Sequence, residues 1–237
     1  MASSNCAALA PPARAPALGA SFQRDLASWN ERRLSPAFPE SHWERNLEVD
    51  QQFQWLEGEF LEKLRAEVAS DAALAPGDPD GFAGGFEQLE TTGPGQGDPL
   101  FPWLAEKADF GAMRWFLTQE AAGEAGFEDL VAYTQVKLPS YAKLELARNY
   151  WDEMGRGNAK GMHGPMLDVL VEKLGLRPEV ETSVPESLAL ANAMTTMATT
   201  RRYTWHSIGA LGVIELTGPD RAACLAKGLR PLRFTAK

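Results

Sequence analysis

The sequence has few of the residues that build sulfur-based sites. Only two cysteines occur in 237 residues, Cys6 and Cys224, and they form no CxxC pair. This usage predicts neither a thiolate-bound metal cluster nor a disulfide framework, and it is typical of a protein in the reducing cytoplasm.

Positive charge and long apolar runs are also missing. The formal net charge is −9 and no basic stripe occurs, so we expect no nucleic-acid partner. No apolar run approaches the length of a membrane span, so we expect no such span. The first twenty residues are rich in alanine, but prolines and arginines interrupt the apolar stretch that a signal peptide needs. We therefore predict a disordered leader over 1–20 and one domain over 21–237.

No segment shows the period-two alternation of a half-buried strand, whereas apolar residues recur at helical spacing along most of the chain. The sequence therefore predicts an all-α bundle of about seven or eight helices joined by short loops. Ser41 is a good N-cap, with Glu44 at the capping-box position. The segment APGDPDGFAGG predicts a cluster of turns, and the pair Gly218–Pro219 predicts the end of a helix.

One run, NYWDEMGRGNAKGMHGPML over 149–167, places two acids before a glycine-rich break. Glu153 shares a helix face with Leu146 and Tyr150, which is apolar, whereas Asp152 falls on the solvated face. A carboxylate that points at a core needs a partner, because burying it unpaired is costly. The alternative is a half-exposed Glu153 at a helix end.

His163 follows Glu153 by ten positions. On one straight helix this separation corresponds to about 15 Å, too far for two ligands of one metal. The glycines between them, Gly155, Gly157 and Gly161, can end one helix and turn the chain, which would bring the two side chains together. The alternative is a core histidine satisfied by local hydrogen bonds.

Two further acids are candidates. Glu215 shares an apolar face with Leu211 in a helix rich in small residues, and its alternative is a position near a helix end that reaches water. Glu120 follows apolar residues on one helix face, and Glu124, one turn further, is a competing candidate for the same role. The alternative for Glu120 is a solvated position at a helix end. His206 falls on the opposite side of its helix from Glu215, and His42 lies far from these candidates in the sequence, so neither histidine is expected to be a ligand.

Inward glutamates from separate helices, together with a histidine, form the pattern that helical bundles use for carboxylate-bound di-iron or di-manganese sites. Carboxylate oxygen and imidazole nitrogen suit iron or manganese. The predicted ligands are Glu153, His163, Glu215 and Glu120.

The segment ARNYWDEMGRGNAKGMHGPMLDVLVEKLGL, with GALGVIELTG further on, resembles the iron-containing redox enzymes of the heme-oxygenase-like fold, also called heme-oxygenase-like diiron oxidases and oxygenases. The resemblance covers roughly 110–233. It implies a seven-helix bundle that binds one or two irons and activates dioxygen on substrates such as fatty acids and amino-acid derivatives. By position, Glu153 and His163 match the first ligand pair, Glu215 matches a bridging or third carboxylate, and Glu120 matches an extra carboxylate of some members.

That family supplies its remaining ligands from a last core helix, as a His, an Asp and a second His at helical spacing. Here the sequence ends in GLRPLRFTAK, where that helix should begin, and no histidine follows His206. We therefore expect a bundle that lacks its last core helix, either as a fragment of a longer chain or as a shortened member with an incomplete site. Such a bundle would expose an apolar groove.

The resemblance implies a non-heme iron oxidase or oxygenase whose partners are a small organic substrate and dioxygen, with homodimer formation left open. The alternative is a non-catalytic helical protein of the same fold that binds a partner through the exposed groove. A third interpretation is a relative without metal, such as a thiaminase-like hydrolase, for which Cys224 is a poor candidate nucleophile.

Overall fold

The computed structural model describes residues 19–39, 43–93 and 95–232. Within these ranges the chain is all-α and contains no strand, which confirms the predicted fold class. Most of the predicted leader and the predicted N-cap Ser41 lie outside the described residues. The helices are α1 Ala20–Leu34, α2 Trp43–Glu67, α3 Ala69–Ala72, α4 Pro79–Thr92, α5 Leu100–Glu106, α6 Phe110–Gly123, α7 Phe127–Thr134, α8 Ser140–Glu153, α9 His163–Leu174, α10 Pro185–Thr199 and α11 Thr204–Leu229.

The predicted number of helices, seven or eight, is too low for the described residues, which form eleven. The helices that the sequence did not predict are α3, with 4 residues, and α4, with 14 residues. A helix as short as α3 spans about one turn, so its periodicity cannot be separated from that of a loop.

The segment APGDPDGFAGG was predicted to be turns, but most of it belongs to α4. The Asp78 side chain accepts a hydrogen bond from the backbone N–H of Gly81 at 2.8 Å, and Pro79 occupies the first helical position. An aspartate N-cap followed by proline is a strong start signal for a helix. Here this signal outweighs the low helix propensity of the glycines that follow.

The predicted helix end at Gly218–Pro219 is also wrong, because α11 continues through Pro219 to Leu229. Proline removes one backbone hydrogen bond, here the one that the carbonyl of Glu215 would accept. The residues beyond it pack closely on α5: a Cβ at Gly228 would lie 2.2 Å from the Leu104 carbonyl oxygen. This packing holds the second half of α11 in line with the first.

Helix α10 lies at the centre of the bundle and packs on α1, α2, α6, α7 and α11. Apolar clusters surround it, one with α7 and α11 and another with α1 and α2, while a third joins α5, α6 and α9. Polar contacts add to this packing. The Arg33 guanidinium lies 3.0 Å from the buried Glu57 carboxylate, and the Thr196 hydroxyl donates to the same carboxylate at 3.2 Å, so α1, α2 and α10 are joined.

Candidate metal centre

A glycine-rich crossing joins the end of α8 to the start of α9. Two 3₁₀ turns, Gly155–Gly157 and Ala159–Gly161, reverse the chain, and Met154 pairs with Met162 in an isolated antiparallel bridge. Gly155 has a φ of +59°, and a Cβ there would lie 2.4 Å from the Gly161 carbonyl carbon. Only glycine fits both the conformation and this close approach. The crossing therefore places the residues that flank the bridge side by side.

Those flanking residues are Glu153 and His163, whose predicted proximity is confirmed. His163 Nδ1 lies 2.8 Å from Glu153 Oε2, and His163 Nε2 lies 3.2 Å from Glu124 Oε1, so the imidazole sits between two carboxylates. The imidazole is stacked on the Phe127 ring with centroids 5.9 Å apart. Asp152 points outward, as predicted, and accepts a hydrogen bond from Arg156 Nε at 2.7 Å.

The electrostatics favour a protonated imidazole. The contact with Glu124 is the largest cause that raises the pKa of His163 to about 9; Glu153 adds to the rise and burial opposes it. Burial alone would raise the pKa of Glu124, but His163 and two backbone N–H groups outweigh it and lower that pKa. The two N–H groups belong to Gly126 and Phe127, at 3.0 and 3.2 Å, so Glu124 also caps α7.

Two more carboxylates act on Glu153. Burial raises the pKa of Glu153, the charge of His163 opposes this rise, and Glu215 and Glu128 add to it. Glu128 has room for this position because residue 164 is glycine: a Cβ there would lie 2.5 Å from Glu128 Oε1. Two carboxylates, Glu153 and Glu124, therefore contact the imidazole, and the charges of Glu215 and Glu128 act on Glu153.

Two oxygen atoms in this cluster are buried without a hydrogen-bond partner. They are Glu153 Oε2 and Glu128 Oε2. His163 Nδ1 lies 2.8 Å from the first of these oxygens, as an ion contact whose geometry is not that of a hydrogen bond. A buried carboxylate oxygen that no donor satisfies is costly unless a cation neutralises it.

Glu215, predicted to point inward, is exposed at the rim of a groove of about 340 Å³ between α8 and α11. It accepts a hydrogen bond from Asn149 Nδ2 at 2.9 Å, which joins the two helices. The alternative from the sequence, a nearby helix end, does not explain the exposure, because α11 continues well past this residue. The exposure comes instead from the open groove.

Glu120 does not join the cluster around His163 in the described structure. It is exposed, and the cation that acts on its charge is Arg221. Its competitor Glu124 contacts His163 instead, because α6 ends at Gly123 and the chain then turns into α7. Glu128 was missed by the sequence reasoning, although it follows Glu124 by one helical turn's spacing.

The other histidines lie elsewhere. His206 Nε2 accepts a hydrogen bond from Arg65 Nε at 3.1 Å and is exposed. His42 lies outside the described residues.

The donor set fits iron or manganese, since both metals prefer carboxylate oxygen and imidazole nitrogen, and the two orphaned oxygens would gain a cation. Over the described ranges, no three histidine, cysteine or acidic side chains converge in a metal-binding arrangement. The nitrogens of His163 face Glu153 and Glu124 instead, in an ion-paired arrangement.

None of the helices in the described part of the chain has an apolar stretch long enough to cross a bilayer. Neither the curated proteins nor the solved structures contain a significant match to this chain. A family model described as iron-containing redox enzyme matches residues 114–237, from the middle of α6 onward. The match covers more than half of the 237 residues and includes every member of the His163 cluster. The chain therefore belongs to the iron-containing redox enzyme family.

Proposed function

We propose that this protein is a non-heme iron-dependent oxidase or oxygenase that acts on a small organic substrate with dioxygen. The observation that carries the proposal is the cluster around His163, in which buried carboxylate oxygens of Glu153 and Glu128 lack a hydrogen-bond donor. Membership of the iron-containing redox enzyme family supports iron as the cation that this cluster holds.

The proposed ligands are Glu153, His163 and Glu215, as the sequence predicted, with Glu124 and Glu128 at hand as additional carboxylates. Glu120, the fourth predicted ligand, is the weakest of the set, since it does not join the cluster around His163 and the cation that acts on its charge is Arg221. Bound iron would supply the one-electron chemistry that dioxygen activation needs. One or two irons, or manganese, are compatible with this donor set.

The chain's own residues hold this arrangement in place. The backbone N–H groups of Gly126 and Phe127 orient Glu124, which in turn orients the His163 ring. The Phe127 ring stacks against one face of the imidazole. Asn149 Nδ2 fixes Glu215 at the rim of the groove. Such outer contacts determine which atoms of a ligand face a metal.

Elemental analysis after anaerobic iron reconstitution tests the proposal. We expect about one or two equivalents of iron in the unmodified protein, as carboxylate-rich bundle sites hold one or two metals. The variant Glu153→Ala with His163→Ala should lose this iron. Asp152→Asn is the matched control, since it removes the neighbouring acid that points outward. Unchanged iron in the double variant would show that the site is elsewhere.

A second candidate function, partner binding, is favoured by the groove between α8 and α11. Apolar side chains line it, including Leu146, Ile208 and Leu211, and Tyr141 at its edge is 79 % exposed. A homodimer that buries this groove is one form of the proposal. Sedimentation velocity of the protein and of Ile208→Glu tests for this homodimer. A dimer that the variant abolishes would support it, and a protein that stays monomeric at all concentrations would contradict it.

A further inference from the structure

Helix α8 leaves a row of large apolar side chains uncovered. None of its 14 residues, all of which lie in the described ranges, is fully buried, and its inner side packs on the cluster of α7, α10 and α11 through Leu146 and Tyr150. On its outer face, Tyr141, Leu144 and Trp151 are 79 %, 61 % and 55 % exposed. Single exposed apolar side chains are ordinary, but a row of them on one helix marks an interaction surface.

The spacing of this outer face indicates what kind of partner covers it. Together with Arg148, the three apolar side chains recur at intervals of three, four and three residues, which is the a and d spacing of a coiled coil. A depression of about 660 Å³ lies on the same face, and its lining includes Leu144, Ala147, Arg148 and Trp151. Positions i, i+3, i+4 and i+7 of one helix form the hole that receives a side chain of a facing helix. The expected partner is therefore another helix with a similar row.

The charges on this face favour a second copy of the chain as that partner. Arg148 lies 2.6 Å from the Glu145 carboxylate, and Arg156 lies 2.7 Å from the Asp152 carboxylate, so these four charges sum to zero. The whole chain has a formal net charge of −9. Two copies therefore repel each other on average, whereas a face with balanced charges meets an identical face without that repulsion.

We propose that two copies of this chain pair through the outer faces of α8, as antiparallel helices related by a two-fold axis. Tyr141 then lies opposite Trp151 of the second copy, and Leu144 lies opposite the apolar stem of Arg148, so each member of the row has a partner. A parallel pair would instead set Arg148 against Arg148, which like charge disfavours.

The glycine crossing supports the Trp151 ring for this contact. A Cβ at Gly157 would lie 3.1 Å from that ring, so the ring rests on the crossing while its other side stays exposed. A ring held in this way loses little conformational freedom when a partner binds. The dimer does not depend on the proposed iron chemistry. It also differs from a dimer through the groove between α8 and α11, which Ile208 lines.

Sedimentation velocity of the full chain tests the pairing. One helix pair is a small interface, so we expect a weak dimer with a dissociation constant on the order of 10 µM. Tyr141→Ala and Leu144→Lys should each weaken it at least about tenfold, because aromatic and central apolar side chains carry most of the energy of an interface. Trp115→Ala is the matched control, since it removes a similarly exposed ring from α6, and it should change nothing. Ile208→Glu should also leave this dimer intact.

Two substitutions at one position test the antiparallel arrangement. Leu144→Glu places an acid opposite Arg148 of the second copy, whereas Leu144→Lys places a like charge there, so Leu144→Lys should weaken the dimer more. In a parallel pair Leu144 would face its own copy, and the two variants would weaken the dimer equally.

Three results would overturn the inference. They are a protein that stays monomeric well above 10 µM, on the order of 200 µM, a dimer that Tyr141→Ala and Leu144→Lys leave intact, and equal effects of Leu144→Glu and Leu144→Lys. Thermal unfolding of each variant confirms that it is folded, since the substituted side chains are exposed. A chain that pairs through α8 but holds no iron after reconstitution contradicts only the proposed function.

Discussion

In the metal-free protein, His163 should stabilise the fold in a pH-dependent way. Its pKa rises from 6.5 to about 9 because Glu124 and Glu153 flank the imidazole. At about 1.4 kcal/mol for each pKa unit, the contribution of this difference to the free energy of unfolding is at most roughly 3 kcal/mol. The side chain is 42 % exposed, so solvent screening reduces the expected contribution to about 1–2 kcal/mol.

The sign follows from the direction of the shift. A raised pKa means that the folded protein holds the proton more tightly than the unfolded chain does. The stabilisation is therefore complete below pH 6.5 and is lost as the pH rises through about 9. Urea unfolding of the unmodified protein and of His163→Gln, from pH 6 to pH 10, measures the stabilisation that His163 contributes. The difference in unfolding free energy should shrink toward high pH; a difference that stays constant would refute the reasoning.

Further predictions concern the crossing and the bundle. Gly155→Ala should destabilise the protein by about 2 kcal/mol or more, because residue 155 has a left-handed conformation and its new Cβ would meet Gly161. Gly209→Ala, with open space around the new Cβ, should stabilise α11 by about 0.5–1 kcal/mol. Thermal unfolding measures both changes. Arg33→Met should cost about 3 kcal/mol by leaving the buried Glu57 without its cation. Arg33→Met with Glu57→Leu should recover most of that loss, and a single variant as stable as the parent would contradict the argument.

Much of the fold follows from local patterns in the sequence. Apolar periodicity is sufficient for the long helices, and the glycines between Glu153 and His163 correctly predict that these residues meet. The sequence was wrong where two local signals favoured different structures for the same segment. Asp78–Pro79 starts a helix despite the glycines that follow, and Pro219 continues one because the next residues pack on α5.

The composition of the site was harder to predict than its location. Glu120 and Glu124 lie one turn apart, and helical spacing cannot say which of them approaches His163. The choice depends on where α6 ends and how the chain turns into α7, and both are set by tertiary packing. The exposure of Glu215 likewise depends on the open groove between α8 and α11, which no local pattern encodes. The cytoplasmic location and the domain boundary at residue 21 stay predictions.

Anaerobic Fe(II) binding by two neighbouring variants, Glu153→Gln and Asp152→Asn, tests the central claim most directly. Both changes remove one negative charge from adjacent positions, but only Glu153 faces His163, with its Oε2 buried and without a hydrogen bond. We expect Glu153→Gln to weaken Fe(II) binding by at least about tenfold, the order of effect that loss of a metal's neighbouring groups produces, and Asp152→Asn to leave it unchanged. Equal affinities in the two variants would contradict the assignment of this cluster as the iron site.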